Sequence, residues 1–115
     1  MRDDLERVRD MLEAIERIER HTHAGRATFE GDELIQTWVV HHLQIIGEAA
    51  RSLSGEYRAD HEEVPWDKII GTRHVLVHHY FGIDLDLVWQ IVARDLAPLK
   101  ASLLEALAED SHGVE

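Results

Sequence analysis

Apolar residues recur every three or four positions along nearly the whole chain, which is the spacing of an amphipathic helix. The pattern is clearest near the start, in Leu5, Val8, Leu12, Ile15 and Ile18. No segment shows the apolar and polar alternation that is typical of a strand. The sequence therefore predicts an all-α fold, built as an up-and-down bundle of four or five helices.

Glycine, proline and capping residues divide this pattern into elements. The predicted helices cover residues 2–21, 33–54, 65–82 and a segment from Asp84, and the predicted loops cover residues 23–31 and 56–64. Pro98 is expected to kink the last helix or to start a fifth, because proline lacks a backbone donor. Residues 1–108 are predicted to form one domain, and residues 109–115 a frayed polar tail.

The apolar band of the second helix is wider than one packing stripe. A band of this width indicates contact with two neighbouring helices or with a second chain.

Composition narrows the classes of function. A formal net charge of -11 on 115 residues disfavours broad binding to nucleic acid, which depends on many Lys and Arg contacts, and DNA is not expected as a partner. The chain has no cysteine, which excludes disulfides and cysteine-based zinc sites. We find no signal peptide and no apolar run of about 20 residues, so we expect a cytoplasmic protein without a membrane partner.

One window departs from the acidic balance. Residues 68–83 contain no Asp or Glu but hold Lys68, Arg73, three histidines and Tyr80. A cation, imidazoles and a phenol together suit the handling of a phosphate ester. Arg73 also falls on the apolar line of its helix, where a charge requires a partner, a ligand or a second chain.

This window resembles the Arg-x4-His-x-Tyr motif of HEPN-domain proteins of the HepT-like toxin family. Here the motif consists of Arg73, His78, His79 and Tyr80. Further blocks resemble the family in the same order, at residues 45–50, 64–66, 69–71, 81–84, 88–89 and 95–96. Two positions differ from the usual pattern, since His74 stands where Asn is common and His79 where Gly or an acid is common.

The resemblance implies a HEPN-like homodimer that cleaves RNA without a metal or other cofactor and leaves a 2′,3′-cyclic phosphate. It implies Arg73 as the phosphate clamp and His78 as the general acid and base. His74 and Glu48 would support them, by orienting the substrate and Arg73. It also implies a type VII-like toxin–antitoxin pair, in which a small nucleotidyltransferase antitoxin adds AMP to Tyr80.

Other interpretations stay open on the sequence alone. Without the resemblance, Arg73 would more often be a structural residue in an ion pair, for example to Glu48. His74 and His78 have the i,i+4 spacing of two metal ligands. The chain also fits a non-catalytic helical domain that binds a nucleotidyltransferase.

Structural roles are expected for the remaining aromatic residues and histidines. His42 is expected to be partly packed and His41 exposed. The other histidines outside the motif window are expected to be solvated, namely His21, His23, His61 and His112. The tryptophans are expected in the core or a dimer interface, namely Trp38, Trp66 and Trp89.

Overall fold

The computed structural model describes the backbone of residues 3–77 and 84–113, and the side chains of residues 3–72 and 84–109. All regular elements in this part of the chain are helices, and no strand occurs there. In chain order they are α1 (Asp4–Thr22), α2 (Arg26–Glu30), α3 (Glu33–Arg51), α4 (Gly55–Asp60), α5 (Trp66–Val77), α6 (Leu85–Gln90), a π-helical segment (Ile91–Asp95) and α7 (Leu96–Gly113). The predicted all-α class is confirmed.

The first helix follows the predicted apolar stripe. Asp3 caps it, since its carboxylate accepts a hydrogen bond from the Glu6 backbone N–H at 2.9 Å. One side of the helix is completely buried along its length, at Val8, Met11, Ile15 and Ile18. A continuous buried stripe of this kind contributes most of a helix's stability in a folded protein.

Two short helices occupy the segments that were predicted to be loops. In α2 the side chain of Phe29 is buried, and in α4 that of Tyr57 is buried. Gly25 precedes α2 with a φ of 102°, which favours glycine. Ser54 caps α4 by accepting a hydrogen bond from the Tyr57 N–H at 3.1 Å. The loop prediction was wrong because packing of one aromatic residue stabilises a turn too short for a periodic pattern.

The central helix α3 starts after the predicted cap Asp32, whose carboxylate accepts hydrogen bonds from the N–H groups of Leu34 and Ile35. It ends at Arg51, three residues before the predicted end at Ser54. Helix α3 packs against both α1 and α5. Two neighbours within one chain therefore explain the buried part of its wide apolar band, whereas Leu34 and Trp38 of that band are 82% and 37% exposed.

The last helical stretch passes through Pro98 without stopping. Asp84 caps it as predicted, accepting a hydrogen bond from the Leu87 N–H at 3.1 Å. In the π-helical segment, the Leu96 N–H donates to the Ile91 carbonyl, five residues earlier. This wider turn lies directly before Pro98, where an α-helix would have a missing donor and a steric clash. A local change of helix type therefore precedes Pro98, and α7 extends to Gly113, past the predicted domain boundary at residue 108.

The bundle is organised around four long helical stretches. Helix α1 packs on α3 and α7, and α3 also packs on α5. Lys100 of α7 donates a hydrogen bond to Glu19 of α1 at 2.9 Å, and this bond raises the pKa of Lys100. No helix in the described ranges is both long enough and apolar enough to cross a membrane.

Candidate functional site

Helix α5 carries the beginning of the phosphate-handling window. The backbone of Arg73 and His74 lies near its carboxyl end. The structure does not describe the side chains of Arg73 and His74. For His78, His79 and Tyr80 it describes neither the backbone nor the side chain. The predicted roles of these residues therefore stay predictions. The part of the site that the structure describes consists of the residues around α5.

The start of α5 is held firmly by its first aromatic residue. Trp66 is buried, as predicted for a core residue, and its indole N–H donates to the His61 carbonyl at 2.9 Å. The Ile69 N–H donates to the Pro65 carbonyl at 3.1 Å, which closes the first helical turn. Ile69 and Ile70 pack against the core and attach the first two turns of α5 to the bundle.

Helix α3 supplies the second wall of the site. Gly47, Ala49 and Ala50 are buried and small, which permits close approach of a neighbouring helix. Glu48 lies among them but is itself exposed, on the helix that packs against α5. This position is compatible with the predicted orientation of Arg73 by Glu48.

A cavity of about 290 Å³ opens between α3, α5 and the π-helical segment with α7. Its apolar wall includes Leu43 and Ile46 of α3, Ile69 of α5 and Leu99 of α7. Its polar lining comes from α5 and the last helical stretch, and includes Lys68, Thr72, Arg94, Asp95 and Ser102. Thr72 directly precedes Arg73, the residue predicted to hold phosphate, in the sequence.

Polar contacts order the rim of this cavity. The Lys68 ammonium lies 3.4 Å from an Asp95 carboxylate oxygen, with 64% and 37% of the two side chains exposed. The Thr72 hydroxyl donates a hydrogen bond to the Lys68 carbonyl at 2.9 Å. Among the described lining residues, two cations are balanced by the carboxylates of Glu63 and Asp95. The rim therefore offers donors and acceptors without a large excess of either charge.

Sequence reasoning singled out Lys68 only as a cation of the window, and it did not identify this cavity. Asp95 lies 27 positions from Lys68, and no short spacing in the sequence connects them. The sequence feature that could have indicated this polar rim is the i,i+4 spacing of Lys68 and Thr72, because it puts both residues on one face of α5.

The structure separates two buried histidines from the solvated ones. His21, His23 and His41 are exposed, as predicted. His42 is 2% exposed, and its Nδ1 lies 2.7 Å from the Trp38 carbonyl oxygen. Burial lowers the pKa of His42 below its ordinary value. This residue is packed more completely than the sequence predicted.

His61 was expected to be solvated, and that expectation was wrong. It is 4% exposed, and its ring centroid lies 4.5 Å from that of Tyr57. Its Nδ1 lies 3.5 Å from a Glu63 carboxylate oxygen. Tyr57 of α4 and Trp66 of α5 both contact His61. Its neighbours in sequence are polar, which is why the sequence predicted an exposed loop residue. His112 lies outside the described side chains.

The three tryptophans differ in burial. Trp66 belongs to the core, and Trp89 is half-buried with its ring centroid 5.4 Å from that of Phe29. Trp38 is partly exposed, and its indole N–H donates to the Arg17 carbonyl at 3.0 Å.

Metal-ligating side chains do not converge in the described part of the chain, where no three His, Asp or Glu residues form a group that could hold an ion. This statement does not cover His74 and His78, because the structure does not describe their side chains.

The comparisons with known proteins agree on one class of protein, the ribonucleases. Residues 11–106 match the family described as "Ribonuclease HepT-like". The chain is 36% identical over 98 residues to "Putative RNase MJ1380" of Methanocaldococcus jannaschii, covering 85% of this chain and 84% of that protein. It is 37% identical over 94 residues to "Probable ribonuclease HepT" of Thermococcus cleftensis, covering 79% and 84%.

A longer relative also matches. The chain is 35% identical over 100 residues to "Gamma-glutamylcyclotransferase and putative RNase MJ0434" of Methanocaldococcus jannaschii. The match covers 86% of this chain but 45% of that protein, so the chain spans less than half of its length. No solved structure matches the chain at a significant level.

Proposed function

This chain belongs to the HepT-like ribonuclease family, and on that premise we propose that it is a metal-independent endoribonuclease and the toxin of a toxin–antitoxin pair. The observation that carries the proposal is the family match over residues 11–106, which includes both Arg73 and His78. Packing of α5 on α3 supports it further, because a rigid helix is a suitable carrier for catalytic side chains.

The proposed reaction is a transfer of phosphate within the RNA backbone. The ribose 2′-oxygen attacks the adjacent phosphorus while an imidazole of His78 takes the hydroxyl proton. The bond from phosphorus to the 5′-oxygen breaks, and that oxygen receives a proton from an imidazolium. The products are a 2′,3′-cyclic phosphate and a free 5′-hydroxyl. Arg73 binds the phosphate oxygens and stabilises the charge that grows on them.

A homodimer would supply both proton-transfer groups at one cleft. In this proposal the motifs of two copies meet across a two-fold axis, so one His78 acts as base and the other assists as acid, and a cleft that keeps one His78 and one Arg73 retains part of the activity. His74 contacts the substrate, and Glu48 orients Arg73. The position of Glu48 on the helix that packs against α5 supports the latter role.

Regulation is proposed to act through Tyr80. A partner nucleotidyltransferase would transfer AMP from ATP to the Tyr80 oxygen, releasing pyrophosphate and the phenolic proton. The added phosphate would repel RNA beside the cleft. The other tyrosine of the chain, Tyr57, is 8% exposed in the core, which makes it a poor acceptor. Mass spectrometry of the co-expressed pair should locate AMP on Tyr80, and adducts confined to Tyr57 would reject this regulation.

The cleavage assay that tests the enzyme uses purified, unmodified protein in EDTA. The parent should cut RNA and leave cyclic phosphate ends, whereas Arg73→Ala and His78→Ala should lose activity by about a hundredfold or more. Arg20→Ala and His23→Ala are matched controls, because both side chains are exposed at the end of α1, away from α5. Cleavage that chelation abolishes would overturn metal independence.

The second candidate is a non-catalytic domain that binds a nucleotidyltransferase. The net charge of -11 favours it, since an acidic surface repels RNA. Growth inhibition by His78→Ala comparable to that of the parent would favour this function, provided the variant remains a dimer.

A further inference from the structure

We propose that the cavity between α3, α5 and α7 binds a single guanine base of the RNA substrate. This inference rests on the proposed ribonuclease function and specifies its substrate. The cavity of about 290 Å³ is at the small end of the roughly 300–1,000 Å³ typical of ligand pockets. That size suits one heterocycle rather than several nucleotides.

The first support is the distribution of polarity. A base has apolar faces and a polar edge, and bases that leave the stack are bound by both features in RNA-binding proteins. The cavity has apolar side chains on one wall, among them Leu43, Ile69 and Leu99. Its rim carries the Lys68 ammonium and the Asp95 carboxylate. A base whose face lies on the apolar wall, with its Watson–Crick edge towards Lys68 and Asp95 and its N9 towards solvent, matches this arrangement.

The second support is charge. Lys68 and Asp95 place a cationic donor and an anionic acceptor side by side at the rim. A phosphate subsite requires an excess of cationic donors, whereas a neutral heterocycle requires both donors and acceptors. Asp95 can accept hydrogen bonds from the N1–H and 2-amino group of guanine, while Lys68 donates to its O6. No other RNA base has one acceptor followed by two donors along its Watson–Crick edge.

The third support is that the rim can open. Lys68 and Asp95 meet at 3.4 Å, longer than a strong charge-assisted hydrogen bond, and both side chains are partly exposed. A pair of this kind contributes little to folding and can exchange its mutual contact for a ligand.

The fourth support is position. Thr72 lines the cavity and is followed directly by Arg73, the predicted phosphate clamp. A base is joined to its phosphate through one ribose, so a base site must lie beside the phosphate site. The adjacency of Thr72 and Arg73 in sequence is what makes this cavity the candidate for that base site.

The experiment has a binding arm and a cleavage arm. In the binding arm, guanosine monophosphate is added to ¹⁵N-labelled, unmodified protein, and amide shifts are expected at Thr72, Asp95 and Ser102. Asp95→Asn should weaken this binding about tenfold, because it places a donor against the donor edge of guanine. Glu105→Gln is the matched control, since Glu105 is exposed on α7 outside the cavity lining.

In the cleavage arm, two RNAs differ only by guanosine or inosine, which lacks the 2-amino group. The parent and Glu105→Gln should prefer the guanosine RNA, and Asp95→Asn should lose the preference. Equal cleavage of both RNAs, with no shifts in the cavity, would overturn the guanine site and leave the ribonuclease standing. Cavity shifts with no cleavage of any RNA would reject the proposed enzyme and retain the base site.

Discussion

Leu103 and Leu104 are neighbours on α7 with opposite surroundings, since their side chains are 0% and 48% exposed. We expect Leu103→Ala to lower the free energy of unfolding by about 2–5 kcal/mol, because it removes buried methyl groups and leaves a cavity. Leu104→Ala should change it by about 0.5 kcal/mol or less. Urea unfolding at one protein concentration measures both values, and equal losses would contradict the packing of Leu103.

His42 connects stability to pH through its burial. Desolvation is the largest cause of its lowered pKa, and the positive charges of His41, Arg17 and His21 act in the same direction. The Trp38 carbonyl opposes the shift by accepting a hydrogen bond from the ring. The folded protein therefore holds this imidazole neutral at pH values where the unfolded chain already binds a proton.

The sign of the pH effect follows from that difference. The stabilising contribution of His42 is present above its ordinary pKa of 6.5 and is lost as the pH falls from there towards the lower folded value. We expect urea unfolding to show a loss of stability between about pH 7 and about pH 5, with a smaller slope in His42→Asn. His23→Asn is the control and should retain the parent's slope, because His23 is exposed and is not among the groups that shift the pKa of His42.

At the scale of elements, helix α3 depends on its amino-terminal cap. The Asp32 carboxylate accepts hydrogen bonds at 2.9 Å and 3.2 Å from Leu34 and Ile35. Asp32→Ala should lower the free energy of unfolding by about 1 kcal/mol, and Asp32→Ser should recover most of that loss. Thermal or urea unfolding of the three proteins tests this, and a serine variant as unstable as the alanine variant would exclude capping as the cause.

The π-helical segment shows how one element accommodates a residue that normally ends it. The wider turn at Ile91–Asp95 precedes Pro98, so α6 and α7 form one helical stretch. The same segment brings Arg94 and Asp95 to the cavity rim. Segments of this type are frequent at functional sites, which fits the base-binding inference.

At the scale of the whole molecule, the net charge of -11 opposes the approach of RNA, so binding must come from a local site. A cleft shared by two copies would concentrate two Arg73 and two His78 side chains within that acidic surface. The proposed dimer is therefore central to the proposed activity and can be tested by complementation.

Mixing Arg73→Ala with His78→Ala under conditions of subunit exchange should restore part of the cleavage activity that each variant lacks. Only the mixed dimer has one Arg73 and one His78 in the shared cleft. Cleavage of a fluorescent RNA provides the measurement. Mixing Arg73→Ala with the Arg73→Ala/His78→Ala double variant is the control and should stay inactive. Mixed dimers that form but do not cleave would argue against a shared cleft.

The sequence by itself determined the helical class, the caps at Asp32 and Asp84 and the burial of the α1 stripe. These features depend on residues three or four positions apart, and such spacings are visible in a linear chain. It also indicated the family through blocks of residues in order, and the family match over residues 11–106 confirms that prediction.

Only the tertiary structure decided the features that depend on distant residues. It buried His61 against the ring of Tyr57, formed helices α2 and α4 around buried Phe29 and Tyr57, and placed Lys68 beside Asp95. No local spacing encodes these contacts, because burial is set by the neighbouring helices rather than by neighbours in sequence. The candidate base site therefore emerges from the packing of α3, α5 and α7, whereas the Arg-x4-His motif is recognised from the sequence alone.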